Sequence, residues 1–160
     1  MGIFGKKKED RPVWRNSAGM IECKGDSCPQ ECDNSSPIWL NTQASMMIQF
    51  GEIAQAKSIY SEIFEIAPDF YDAWNNLAAI YGQEGNYAKA KTCYAKAHEI
   101  RPERPAPVYG LALVNRDLKN YKESLRWCEE YEKLSSDGKC RSVRAEVQAA
   151  LGIGNHSVRF

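Results

Sequence analysis

The sequence lacks an excess of charge of either sign. Lys and Arg together number 21, Asp and Glu together number 21, and the net charge is zero. Phosphate neutralisation supplies most of a nucleic-acid binder's affinity, so this balance argues against a nucleic-acid partner. The balance also holds locally. Residues 1–36 carry six basic and six acidic side chains, residues 37–104 carry six and eight, and residues 105–160 carry nine and seven. The run Lys6-Lys7-Lys8 is followed at once by Glu9-Asp10, which reads as a solvated segment rather than a lipid patch. No stretch approaches the roughly 18 apolar residues that a membrane span needs. The start of the chain has no apolar core of a secretory leader, and Lys6 stands where a myristoylation motif requires Ser or Thr. The expected setting is therefore cytoplasmic, with no membrane partner. Histidine is scarce: His98 and His156 stand far apart, with no nucleophile in a recognisable context beside either. There is no Gly-rich phosphate loop, no His-Glu-x-x-His and no nucleophile elbow, so nothing points to an enzyme.

What the chain does have is self-similarity. Shifted by 34 residues, Gly51-Glu52-Ile53-Ala54-Gln55-Ala56 falls on Gly85-Asn86-Tyr87-Ala88-Lys89-Ala90 and then on Lys119-Asn120-Tyr121-Lys122-Glu123-Ser124. Tyr60 falls on Tyr94 and then on Cys128, and Pro68 falls on Pro102. A fixed period of about this length is the signature of stacked helix pairs. Within each period the apolar residues recur at i, i+3, i+4 and i+7, as in Trp74, Leu77, Ala78 and Tyr81, and Trp74, Leu77, Tyr81, Ala90 and Tyr94 are expected to be buried between helices. Helices are expected at about 38–50, 53–66, 71–84, 87–100, 106–118 and 121–134. Gly51 and Gly85 mark turns, and Pro68 and Pro102 mark helix boundaries.

The unit 71–104 carries Trp74, Leu77, Ala78, Tyr81, Gly85, Ala90, Tyr94, Ala97 and Pro102 at the spacing of the tetratricopeptide repeat, which it resembles closely. The units 37–70 and 105–138 resemble it less. The first is weak at its start, and the third has Lys119 for the turn Gly and Ser136 for the closing Pro. The resemblance implies an all-α fold, a right-handed superhelical solenoid of three repeats. A cap helix over 139–151 is expected from Cys140, Val143, Val147 and Leu151, with Asp137 as N-cap and Gly152 just past its end. The expected organisation is an irregular, Cys-containing segment 1–36, a repeat domain 37–152 and a flexible tail 153–160.

In this family the first helix of each repeat lines a groove, which implies a protein or peptide partner. The groove positions here are Asn41, Ser45 and Gln49, then Asn75, Asn76 and Gln83, then Tyr109 and Arg116, flanked by Ile38, Thr42, Ala79, Ala106, Gly110 and Leu113. Amides and tyrosine can bond an extended peptide backbone, although a merely solvated groove would look similar. One subtype of the family grips a terminal carboxylate with basic residues. Only Asn76 matches that clamp; Asn41, Ala106 and Gly110 hold its basic positions, so that ligand is not implied.

Cys23, Cys28 and Cys32 form the other notable cluster. They read as tentative metal ligands, with zinc the candidate cofactor, as a disulfide plus a free thiol, or as inert thiols. A tetrahedral site would need Asp26, Asp33 or a distant cysteine as fourth ligand. Joined, the three would form a knuckle pinning residues 12–36 near Trp39, in an accessory protein whose repeats dock a client. Cys93, Cys128 and Cys140 lie on expected helices and read as small buried hydrophobes. The partner's identity and the oligomeric state are not legible.

Overall fold

The computed structural model describes residues 36–152. The cysteine segment with Cys23, Cys28 and Cys32, and the tail after Gly152, lie outside the described residues. The described residues form seven α-helices and no strand: α1 Pro37–Gln49, α2 Ile53–Ile66, α3 Tyr71–Gln83, α4 Tyr87–Ile100, α5 Pro105–Asp117, α6 Tyr121–Leu134 and α7 Cys140–Ala150. The helices pair as α1 with α2, α3 with α4 and α5 with α6. Each pair packs on the next, and α7 packs on both α5 and α6. Among the described residues no helix is long and apolar enough to cross a membrane.

The helix ends repeat with the sequence. In all three pairs the first helix ends in the same double bond pattern. Gly51 N–H donates to the Ile48 carbonyl and Glu52 N–H to that of Met47; Gly85 and Asn86 do the same to Gly82 and Tyr81, and Lys119 and Asn120 to Arg116 and Asn115. This Schellman arrangement satisfies carbonyls that the helix leaves open, and it requires a left-handed residue just past the end. Gly51 and Gly85 supply it at φ 80° and 74°, while Lys119 is forced into the same region at φ 61°. At its start α1 is capped by Ser36, whose Oγ accepts from Trp39 N–H at 3.3 Å, with Pro37 in the first turn where no donor is needed.

The core runs between the pairs. Leu40, Ala44, Ala56, Tyr60, Ile63, Leu77, Ala78, Ile80 and Cys93 join the first two pairs. Val108, Ala112, Cys128 and Tyr131 join the third to Cys140, Val143 and Val147 of α7. Ala44, Ala78 and Ala112 are fully buried, as close helix approach requires. At the place of Ala56 and Ala90 the third pair has Ser124, whose buried Oγ donates to the Ala112 carbonyl at 2.8 Å, so no polar atom is stranded. Cys128 stands where Tyr60 and Tyr94 stand, and the Cys140 thiol of α7 meets it there. Burial pushes the Cys93 thiol up to about 11 and that of Cys140 to about 12, so both stay protonated and inert.

Four expectations need correction. Trp74 is half-buried rather than interior, because its indole N–H needs an acceptor. The ring stacks on Phe64 with centroids 4.0 Å apart, and Nε1 donates to the Pro68 carbonyl at 2.7 Å in the turn before α3. Tyr81 and Tyr94 are likewise only partly buried. The Lys57 and Lys89 ammonium groups lie 4.9 and 5.4 Å above the Tyr81 ring. Leu151 does not complete the stripe of α7; it ends the helix and is 36% exposed. Asp137 is not the N-cap of α7, which is Lys139. It accepts from Lys139 N–H at 3.1 Å and from the Tyr131 hydroxyl, tying the connection to α6 one step earlier. The Lys139 N–H holds its carboxyl below the usual range.

Three outcomes follow from this packing. Lys119→Gly relieves a left-handed backbone that costs an ordinary residue about 1–2 kcal/mol, partly offset by the looser unfolded chain of glycine. A urea melt is expected to show a gain of about 0.5–1 kcal/mol. Gly110→Ala has the opposite sign. A Cβ there would stand 2.5–2.6 Å from the end of the Tyr94 ring, so the overpacking cost of about 1–3 kcal/mol outweighs the roughly 1 kcal/mol by which Ala favours a helix. A variant as stable as the parent would show that Tyr94 does not pack against that backbone. Removing everything after Gly138 uncovers Val108, Cys128 and Tyr131. The truncated chain is expected to self-associate on size exclusion and to melt over a broader range.

Candidate binding groove

The helices divide sharply in charge. The first helices of the three pairs, α1, α3 and α5, hold only three charged side chains: Asp72, Arg116 and Asp117. The second helices, α2, α4 and α6, hold fourteen Asp, Glu, Lys and Arg residues, so the neutrality of the first set is not a property of the chain as a whole.

The face carried by α1 and α3 is built from side chains one helical turn apart. Ser45, Ile48 and Gln49 share a face of α1, and Asn76, Ala79, Ile80 and Gln83 share a face of α3. These seven residues surround one cavity of about 240 Å³. Asn41, one turn before Ser45, ties the helices together: its Oδ1 accepts from Asn76 Nδ2 at 3.1 Å, and its backbone carbonyl accepts from Ser45 Oγ at 2.8 Å. Tyr60 of α2 belongs to the core that joins these two pairs. Tyr60 is fully buried, and its hydroxyl lies beside Asn76 and Ser45 without a bond of good geometry to either. Burial raises the Tyr60 pKa, and the two neighbours only partly offset this, so the hydroxyl is a neutral donor at any physiological pH.

Of the groove residues read from the sequence, the structure brings Asn41, Ser45, Gln49, Asn76 and Gln83 together. Asn75 lies on α3 outside the cavity, half-buried, with its Oδ1 buried and without a partner. The third pair is different. Tyr109 packs on Tyr131 with centroids 5.4 Å apart, and Arg116 is held by Asp117 at 2.9 Å and by Glu146 of α7 at 3.0 Å. Its hydrogen bond to Asp117 raises its pKa, so this charge is fixed and already engaged. Gly110, expected on the open face, is buried under the Tyr94 ring. Ile48 and Ile80 are not among the groove positions expected from the sequence, and Tyr60 stands there only as a repeat position. The spacings 45, 48, 49 and 76, 79, 80, 83 carried the signal for the two isoleucines. Nothing in the pattern marks the hydroxyl of a core tyrosine.

Metal ligands are a separate matter. Among the described residues no group of three or more His, Cys, Asp and Glu is placed to hold an ion. Cys23, Cys28 and Cys32 fall outside those residues.

Comparison with known proteins agrees with the repeat. The tetratricopeptide repeat model matches residues 71–104. No curated protein matches the chain significantly. Among solved structures, the chain is similar to the first tetratricopeptide domain of Spaghetti (RPAP3), which was solved with the HSP90 peptide SRMEEVD. That likeness has a TM-score of 0.70 at 15% identity and covers 75% of this chain and 96% of that one. It is similar to YrrB, a tetratricopeptide protein with an unusual peptide-binding site, at a TM-score of 0.68 and 20% identity, covering 76% of this chain and 63% of that one. A tetratricopeptide repeat protein from Parabacteroides merdae gives a TM-score of 0.62 at 23% identity, covering 73% of this chain and 46% of its own. At such identities the likeness speaks of fold. The central unit, residues 71–104, is a tetratricopeptide repeat, and the described residues take the all-α repeat fold of tetratricopeptide solenoids.

Proposed function

We propose that this chain is a binding scaffold whose groove, formed chiefly by α1 and α3, takes an extended segment of another protein, and that it is not an enzyme. The observation that carries this reading is the segregation of charge. A face that only meets water is normally covered with Lys, Glu and Arg, as α2, α4 and α6 are here. A face that meets a partner is depleted of charge at its centre. On α1 and α3 the depleted positions are filled by Asn41, Ser45, Gln49, Asn76 and Gln83, which offer donors and acceptors to a peptide backbone. Similar solenoids hold peptides, as the first domain of Spaghetti does with its HSP90 peptide, which supports a peptide as the occupant. A cytoplasmic setting is part of the same proposal. The zinc reading of Cys23, Cys28 and Cys32 has no comparable observation behind it.

The test is selection of 12-residue peptides from a display library on the full chain, followed by fluorescence anisotropy. Gln49→Ala and Gln83→Ala, both at exposed positions, are expected to weaken a selected peptide by about 3–10-fold each, as loss of one hydrogen bond does. Lys96→Ala, on α4 and paired to Glu99, is expected to leave affinity unchanged. Enrichment of no peptide, or binding indifferent to the groove variants, would remove the groove from the function.

A further inference from the structure

The cavity between α1 and α3 has a chemistry narrower than a peptide groove requires. Its walls are of two kinds. Ile48, Ala79 and Ile80 are aliphatic, while Ser45, Gln49, Asn76 and Gln83 are polar and uncharged. No ionisable side chain lines it. The cavity is open at Gln49 and Gln83, and a carboxylate or an ammonium group placed in it would give up part of its hydration and gain no counter-charge. An aliphatic group would fit the isoleucine wall but would leave the polar wall desolvated and unbonded, which is how a hydrogen-bonding site rejects an apolar analogue.

The polar wall has unused capacity of both kinds. Asn76 spends Nδ2 on Asn41, and Ser45 spends its proton on the Asn41 carbonyl, so the Asn76 carbonyl oxygen and the Ser45 lone pairs are acceptors. Gln49 and Gln83 stand exposed at the mouth, each with a donor and an acceptor. Behind this lining the Tyr60 hydroxyl is buried, has no partner and lies beside Ser45 and Asn76. An unsatisfied buried donor is costly, so a partner within reach of the Tyr60 proton is favoured. The Asn41 bond orients the Asn76 amide, and the neighbouring Tyr60 hydroxyl has a proton free to hold the Asn76 carbonyl in that orientation.

We propose that this cavity is a side-chain subsite for a carboxamide, the amide of an Asn or Gln in the bound segment. The methylenes of that side chain lie on Ile48, Ala79 and Ile80, and its C=O and NH2 meet the acceptors and donors of Ser45, Gln49, Asn76 and Gln83. The inference rests on the groove reading above and adds to it a choice of residue. Tyr60 acts as a positioning residue through Asn76.

The experiment uses the full chain and the fluorescein-labelled peptide of highest affinity from the display selection, with each position replaced in turn by Gln, Glu and Leu. The expected result is one position at which Gln or Asn binds at least about tenfold more tightly than Glu or Leu. Ala79→Leu, which fills the cavity, erases that preference while the rest of the peptide still binds. If Ala79→Leu melts early, Gln83→Leu at the exposed mouth replaces it. Tyr60→Phe narrows the ratio of Gln to Leu affinity, a readout that a purely structural loss, which weakens all peptides alike, would not move. A peptide that depends on Gln49 and Gln83 but binds equally with Gln, Glu and Leu at every position overturns the subsite and leaves the groove reading standing. A selection that yields no groove-dependent peptide overturns both.

Discussion

A pair of helices with an apolar stripe on each cannot cover both stripes by itself, and the stacking of the described helices follows from that shortfall. The stripe left open by one pair is closed by the next, so each unit contacts only its neighbours and the series has to be stopped. Here α7 stops it. Cys140, Val143 and Val147 are fully buried against Val108, Cys128 and Tyr131, while the other side of α7 carries Arg141 and Glu146 to solvent. The same constraint explains the departures of the third pair. It faces a single helix rather than another pair, and Cys128 replaces the tyrosine found twice before. Cys140 from α7 meets it there.

The close approach that stacking demands has a cost in backbone freedom. Each first helix must end abruptly so that the second can fold back, and the Schellman turn does this with a left-handed residue at 51, 85 and 119. Glycine serves twice. At Lys119 the geometry is kept although the residue is unsuited to it, which shows that packing of α5 on α6 fixes the turn and not the reverse. Close approach also fixes Gly110: Tyr94 of the second pair occupies the space a side chain would need, so a glycine on the first helix of the third pair is a packing residue and not an open groove position.

The period of 34 made the helices legible in the sequence, with ends within one residue of those observed, because Gly, Pro and Asn mark the turns and a stacked solenoid has no long-range pairing to guess. The cap was legible from Val143 and Val147 for the same reason. What escaped was the distinction between a residue on the right face and a residue in the right place. Trp74 lies on the core stripe, but its indole N–H draws it to the Pro68 carbonyl at the rim. Tyr109 and Arg116 lie on the groove face by spacing, yet Tyr131 and Glu146 engage them. Helical spacing names the face of a helix. It does not say which neighbouring element has already covered it.

That difference bears on where the groove is open. Along the first helices the available surface shrinks from α1 to α5: α1 and α3 present Ser45, Gln49, Asn76 and Gln83 around a cavity, while α5 is tied to α6 and α7 through its aromatic and its arginine. The ion pairs are spread over the other side, as in Lys96–Glu99 on α4, Glu123–Arg126 and Glu130–Lys133 on α6, and Arg144–Glu132 between α7 and α6. Such exposed pairs contribute little to stability, about 0–1 kcal/mol each, so their placement is better read as solubility than as structure. A chain that can place fourteen charges on its second helices and places almost none on α1 and α3 has kept that face free of strongly hydrated groups. Removing water from amides and a serine costs far less than removing it from lysines and glutamates, and the difference is available to whatever binds there.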